Sequence, residues 1–144
     1  MEKNQIAVQK FSEGFNCAQS VLAVFAQDHG LDLEKALRLA GSFGGGMARM
    51  GETCGAVTGA MMVLGLRHGM VQKEDPQAKE KNYAEVMKFV EEFKSRNRSI
   101  KCRDLLGFDL GAVEGRKKAH DQNLFATICP RMVTEAVEIL EKTH

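Results

Sequence analysis

The chain has 144 residues, 44% of them apolar, which is enough to build one domain around one core. Its 20 Lys and Arg against 19 Asp and Glu leave a net charge of +1, so no strong field would draw in nucleic acid or an anionic membrane surface. The longest apolar run, Ala56 to Leu66, is interrupted by Thr58 and falls short of the ~20 residues that a bilayer-spanning helix requires.

Met1 to Phe11 also lacks the apolar stretch of a secretory signal, so a cytoplasmic protein without nucleic-acid binding or membrane insertion is expected. Good helix formers number 75 against 20 β-branched residues, which predicts an all-α fold. The expectation is a single domain over residues 1–144, a helical bundle of five to six helices with a glycine-rich loop.

A first helix is predicted from about Lys3 to Glu13, ending at Gly14. Asn16 with Gln19 three residues on reads as a capping box, and Ala18, Val21, Leu22 and Phe25 follow helical spacing. Asp32 caps a third helix carrying Leu33, Ala36, Leu37 and Ala40. Five glycines between Gly41 and Gly51 (Gly41, Gly44, Gly45, Gly46 and Gly51) then predict a loop, because each costs about 1 kcal/mol relative to alanine in a helix.

Glu52 or Thr53 opens a fourth helix reaching about Leu66, with Gly51, Gly55 and Gly59 spaced to leave one side almost bare of side chains. Such a side admits another helix or a cofactor unusually closely. Asp75-Pro76 reads as an N-cap and first helical residue of a fifth helix to about Arg96, with Tyr83, Val86, Met87, Val90 and Phe93 on its apolar face. From Asn97 to Ile128 the pattern weakens to a turn or two around Cys102 to Leu106 and Glu114 to His120. Cys129-Pro130 again resembles a cap and a first-turn proline, opening a last helix to about Lys142.

Four cysteines, Cys17, Cys54, Cys102 and Cys129, are too widely spaced for a CxxC centre. Each falls at a predicted helix start, where free N–H groups and the macrodipole favour thiolate. Arg49, Lys101, Arg103 and Arg131 would add to that effect. Two bare thiolates at ~4 Å repel by about 4 kcal/mol at an effective dielectric of 20, more than a helix dipole returns. A clustered tetrad must therefore hold a metal, hold protons or be partly oxidised; the plain alternative is four buried, separate cysteines.

At Cys54-Gly55-Ala56-Val57-Thr58-Gly59 the chain shows a CGAxxG motif, with Phe15-Asn16-Cys17-Ala18-Gln19 before it and Cys102-Arg103 and Cys129-Pro130 after it. In these features it resembles the C_GCAxxG_C_C, or CGAxxG-motif, family of redox-active proteins. The resemblance implies redox chemistry and a functional link to membrane transporters. A similar cysteine-bearing domain occurs in the split-Soret cytochromes c, where haem and an additional iron site occur in a dimer. This chain has no CxxCH, which excludes c-type haem.

The leading expectation is thiol-based redox or electron transfer with an unidentified redox partner, in which Cys54 attacks and another cysteine resolves. Whether this makes the chain an enzyme is left open. The alternatives are a metal or iron–sulfur protein, electron carrier or sensor, ligated by Cys17, Cys54, Cys102 and Cys129 within one chain or across a homodimer, and a helical adaptor of a membrane transporter. Gly44, Gly45, Gly46 and Gly55 are the candidate cofactor-binding glycines, the first three as an anion-binding nest with Arg49 as counter-charge; the plain alternatives are a flexible turn for the three and a packing role for Gly55. Met47, Met50, Met61 and Met62 are candidates to line an apolar pocket, Glu52 to carry protons beside Cys54, and His29, His68, His120 and His144 carry no predicted role.

Overall fold

The structure is a computed structural model that describes residues 1–143 of the chain. It is all-α, in the order α1 (Lys3–Ser12), α2 (Cys17–Ala26), α3 (Leu33–Ala40), α4 (Gly55–His68), α5 (Pro76–Asn97), α6 (Cys102–Leu106), α7 (Val113–Asp121), α8 (Leu124–Thr127) and α9 (Cys129–Lys142). Six of these are the expected helices. The three beyond that number, α6, α7 and α8, are short and fill the stretch where hydrophobic periodicity fades. No helix among the described residues is long and apolar enough to cross a membrane.

Local chemistry accounts for several boundaries. The capping box at the start of α2 is present, with Gln19 N–H donating to Asn16 Oδ1 at 2.9 Å and Asn16 N–H to Gln19 Oε1 at 3.0 Å. Asp32 and Asp75 cap α3 and α5 through Lys35 N–H at 2.9 Å and Ala78 N–H at 3.1 Å. The expected cap at Cys129 is displaced: Ile128 is already helical at φ −86° and ψ −49°, Cys129 is the first residue of α9, and Pro130 is the second. Proline is tolerated there because first-turn N–H groups have no intrahelical partner. Cys54, not Thr53 or Glu52, is the N-cap of α4, so Gly51 lies outside that helix.

The core forms where α2, α4 and α9 cross, with Leu22, Val57, Leu64, Val133 and Leu140 essentially dry. The bare side of α4 serves packing: a Cβ on Gly59 would lie 2.8 Å from the Ala18 carbonyl oxygen, and one on Gly55 would lie 3.0 Å from Cys17 Cβ. α2 therefore rests on α4 almost backbone to backbone. On α5 the buried face is Phe89, Val90, Phe93 and Asn97, while Tyr83 and Met87 are exposed. The apolar stripe is thus rotated from the one that periodicity predicts; it is anchored by the stacked Phe89 and Phe93 rings, 5.9 Å between centroids.

Two features bring distant segments to one end of the bundle. Residues 51–54 pair with 100–103 around an isolated antiparallel bridge, Thr53 to Lys101. Cys54 N–H donates to Ile100 at 2.7 Å, Cys102 N–H to Glu52 at 2.6 Å and Arg103 N–H to Gly51 at 3.2 Å. The glycine loop is the second. Its residues Gly45, Gly46, Met47, Ala48 and Arg49 all have positive φ, at 64°, 70°, 69°, 49° and 67°, making one left-handed turn. For the three non-glycine residues this costs roughly 1–2 kcal/mol each, which the loop offsets with amide-to-carbonyl bonds. Those bonds run from Ala48 to Ser42 at 2.8 Å, Gly51 to Gly45 at 3.1 Å and Glu52 to Gly46 at 2.9 Å.

Candidate functional site

A cavity of about 1010 Å³ opens between the glycine loop, α2, α6, α7 and α9, and all four cysteines line it. Cys17 is the first residue of α2, Cys54 the cap of α4, Cys102 the first residue of α6 and Cys129 the first of α9. The expected gathering of helix starts is therefore realised. All four are free thiols, three buried and Cys129 half-buried.

Each arrives by a nameable route. Asn16 caps α2 with its side-chain oxygen and donates from Nδ2 to the Gly41 carbonyl at 3.1 Å, so one residue sets both Cys17 and the start of the glycine loop. The Thr53–Lys101 pairing sets Cys54 beside Cys102. Gly46 must be glycine for two reasons: its φ is +70°, and a Cβ there would lie 2.7 Å from Cys102 Cβ and 2.6 Å from Glu52 N. Cys129 follows α8 through the continuous turn at Ile128, whose N–H donates to Leu124 at 2.8 Å.

The thiols do not share one electrostatic setting. Burial pushes Cys54 up to about 11, against the lowering from the Ala56 and Val57 amides at the start of α4. Burial, with repulsion from Cys54 and Cys129, takes Cys102 up to about 12 and outweighs the nearby Arg103 guanidinium. Cys17 is raised well above the ordinary thiol value, first by its interaction with the Cys129 sulfur, then by burial and by the other three cysteines. Cys129 alone moves the other way: the proton kept on Cys17 stabilises its thiolate, and burial only partly opposes this. The expectation that every helix start lowers its thiol is thus corrected, because desolvation prevails at Cys54 and Cys102, and the Cys129 sulfur, followed by burial, raises Cys17. Cys54, expected as the accessible attacker, is 5% exposed.

Gly44, Gly45, Gly46 and Gly55 line the cavity with Arg49. The loop amides of Ala48, Arg49, Gly51 and Glu52 are engaged by the loop's own carbonyls. Met47, Met50, Met61 and Met62 are absent from the lining, where Met132 is the methionine. Glu52 lies before α4, exposed and paired with Arg103 at 2.9 Å, rather than beside Cys54 as a proton carrier. Arg103 also donates to the carbonyls of Gly51 at 3.0 Å and Met50 at 3.1 Å, clamping the loop.

Four thiols are the right donors in kind for iron or an iron–sulfur cluster. Among the described residues, however, no three His, Cys, Asp or Glu side chains are grouped so as to hold a metal ion. Sequence reasoning missed Phe11, Phe15, Leu110, Arg116, Lys117 and His120, which also line the cavity. The run Arg116-Lys117-Lys118 was the available signal. His29 and His68 lie away from it, beside a smaller cleft, and His144 is outside the described residues.

No curated protein and no solved structure matches the chain. A family model described as "Putative redox-active protein (C_GCAxxG_C_C)" matches residues 15–143, from just before Cys17 through the whole of α9. The chain, with Cys17, the CGAxxG segment at Cys54, Cys102 and Cys129 on one cavity, belongs to the C_GCAxxG_C_C family of redox-active proteins.

Proposed function

We propose that this redox protein works by thiol–disulfide exchange, with Cys129 and Cys17 as its working pair. The observation that carries this reading is that the half-buried Cys129 and the buried Cys17 line one cavity; in keeping with it, their interaction lowers Cys129 and raises Cys17. A dithiol needs such asymmetry: one sulfur charged and reachable to attack, the other protonated until the mixed disulfide forms. Cys129 is the least buried of the four, and the remaining three lie deeper on the same cavity wall.

In this reading the Cys129 thiolate attacks an oxidised sulfur, and Cys17 then displaces the bound group to leave a Cys17–Cys129 disulfide. Cys54 and Cys102, held protonated by burial, keep the pocket apolar and provide a reserve pair. Cytoplasmic location, a homodimer and a link to a membrane transporter remain companions of this proposal, drawn from composition and family resemblance. The test is mild oxidation of the anaerobically reduced chain followed by non-reducing peptide mapping. A predominant Cys17–Cys129 link is expected; a predominant Cys54–Cys102 link, or none involving Cys129, would reject the assignment.

A further inference from the structure

The cavity is amphipathic in a way that the thiols do not require. Its walls carry Phe11, Phe15, Leu105, Phe125 and Met132, while its charged or titratable lining residues other than cysteine are Arg49, Arg116, Lys117 and His120. Among the described residues, no Asp or Glu contributes to that lining. Lys117 is matched by Asp121 at 2.9 Å on the exposed side of α7. Arg49, exposed, and Arg116, half-buried, make no ion pair among the described residues, which leaves both free to meet an anionic group at the cavity.

The Arg49 backbone is fixed at the end of the left-handed turn, and its side chain is exposed on the cavity rim. Arg116, half-buried, donates from Nη1 to the Leu110 carbonyl at 2.9 Å, which leaves its other guanidinium donors for a ligand. A volume of about 1010 Å³ in a half-open cleft is at the upper end of the range for small-molecule sites, which suits a free small molecule better than a flat protein surface.

We propose that this cavity takes a small organic disulfide bearing carboxylates, its sulfur–sulfur bond against Cys129, its apolar body on the phenylalanines and its anionic groups at Arg49 and Arg116. The proposal rests on the dithiol reading above and specifies its substrate class. The Cys129 thiolate attacks one sulfur of the substrate, forming a mixed disulfide and releasing the first thiolate. Cys17 loses its proton, attacks the Cys129 sulfur and releases the second. One cysteine thiolate and one thiol are oxidised to a disulfide, the substrate disulfide is reduced to one thiolate and one thiol, and the proton that leaves Cys17 ends on the product thiol.

The test follows one turnover of the reduced, full-length chain with three probes: dithiobis(nitrobenzoate), which is dianionic and aromatic; dithiodipyridine, neutral and aromatic; and cystamine, cationic. Each rate is divided by that of mercaptoethanol with the same probe, which removes intrinsic reactivity. The dianionic probe should lead the neutral one by roughly tenfold, cystamine should trail both, and the lead should fall with salt. The double variant Arg49→Gln/Arg116→Gln should lose the lead, while Lys118→Gln, on a residue paired with Glu114 at 3.1 Å, should keep it.

Equal normalised rates in the native chain, with the Cys17–Cys129 bond still formed, overturn the anionic substrate and leave the dithiol reading in place. Retention of the lead by the double variant overturns the anionic substrate in the same way. Failure of every probe to yield a Cys17–Cys129 bond overturns both. Because each variant is judged by the ratio of two probes on the same preparation, a general loss of folded protein does not imitate the expected result.

Discussion

Cys17 and Cys129 line one cavity although one opens the second helix and the other the last, and their proton affinities are shifted in opposite senses by each other. Cys129 should therefore be the first cysteine alkylated near neutral pH. Its rate profile should have a midpoint below the ordinary thiol value. Cys17→Ala removes the proton that stabilises the Cys129 thiolate and should shift that midpoint upward, slowing alkylation near neutrality. Mass-spectrometric labelling across pH reads both effects, and an unmoved midpoint would sever the coupling.

Burial of Cys54 predicts an alkaline limit to stability. Its folded value is about 11 against an ordinary value of 9.0, so the folded chain holds this proton after the unfolded chain has released it. That contribution is complete below pH 9 and is lost as pH rises toward 11, amounting to about 3 kcal/mol for two units. Cys102 and Cys17 act in the same direction, and Cys129 in the opposite one, its contribution being lost as pH falls through its lowered value. Denaturation of the reduced chain between pH 8 and 11 should show the decline, and Cys54→Ala should flatten part of it.

Two glycines with nearly equal backbone angles separate conformational strain from contact. Gly30 has φ +75° with open space around its missing Cβ, whereas Gly46 has φ +70° with Glu52 N and Cys102 Cβ at 2.6 and 2.7 Å. Gly30→Ala should cost about 1 kcal/mol and leave cysteine labelling unchanged. Gly46→Ala should cost well over ~2 kcal/mol and expose Cys102 to alkylation, since the loop must lift away from α6. Thermal or urea unfolding with labelling distinguishes them; equal costs would argue against the close contact.

Arg103 donates from one planar fork to Gly51, Met50 and Glu52, a geometry that lysine cannot reproduce. Arg103→Lys keeps the charge and should still loosen the loop, destabilising the fold by roughly 1–2 kcal/mol. Amide exchange at Ala48, Gly51 and Glu52 should rise in that variant. Unchanged protection would show that the loop's own backbone bonds suffice.

Much of this architecture could be read from adjacent residues. Asn16 and Gln19 announce the start of α2 because both halves of the capping box lie within three residues. Asp32 and Asp75 do the same for their helices, and the CGAxxG segment marks both a thiol and the bare side of α4. The α5 stripe escapes such a reading because Tyr83 and Met87 are apolar in character yet sit in solvent, a distinction periodicity does not make.

Convergence was a different matter. Cys54 meets Cys102 through one antiparallel bridge between segments with no shared pattern, and Cys129 is delivered by α6, α7 and α8, each too short to leave a clear period. The upward shifts of Cys17, Cys54 and Cys102 also lay beyond reading along the chain. A helix start favours thiolate through amides one or two residues away, whereas the burial that overrides it comes from atoms folded in from far along the backbone. Short-range hydrogen bonding is written in neighbouring letters; desolvation exists only once the whole chain has closed around the sulfur.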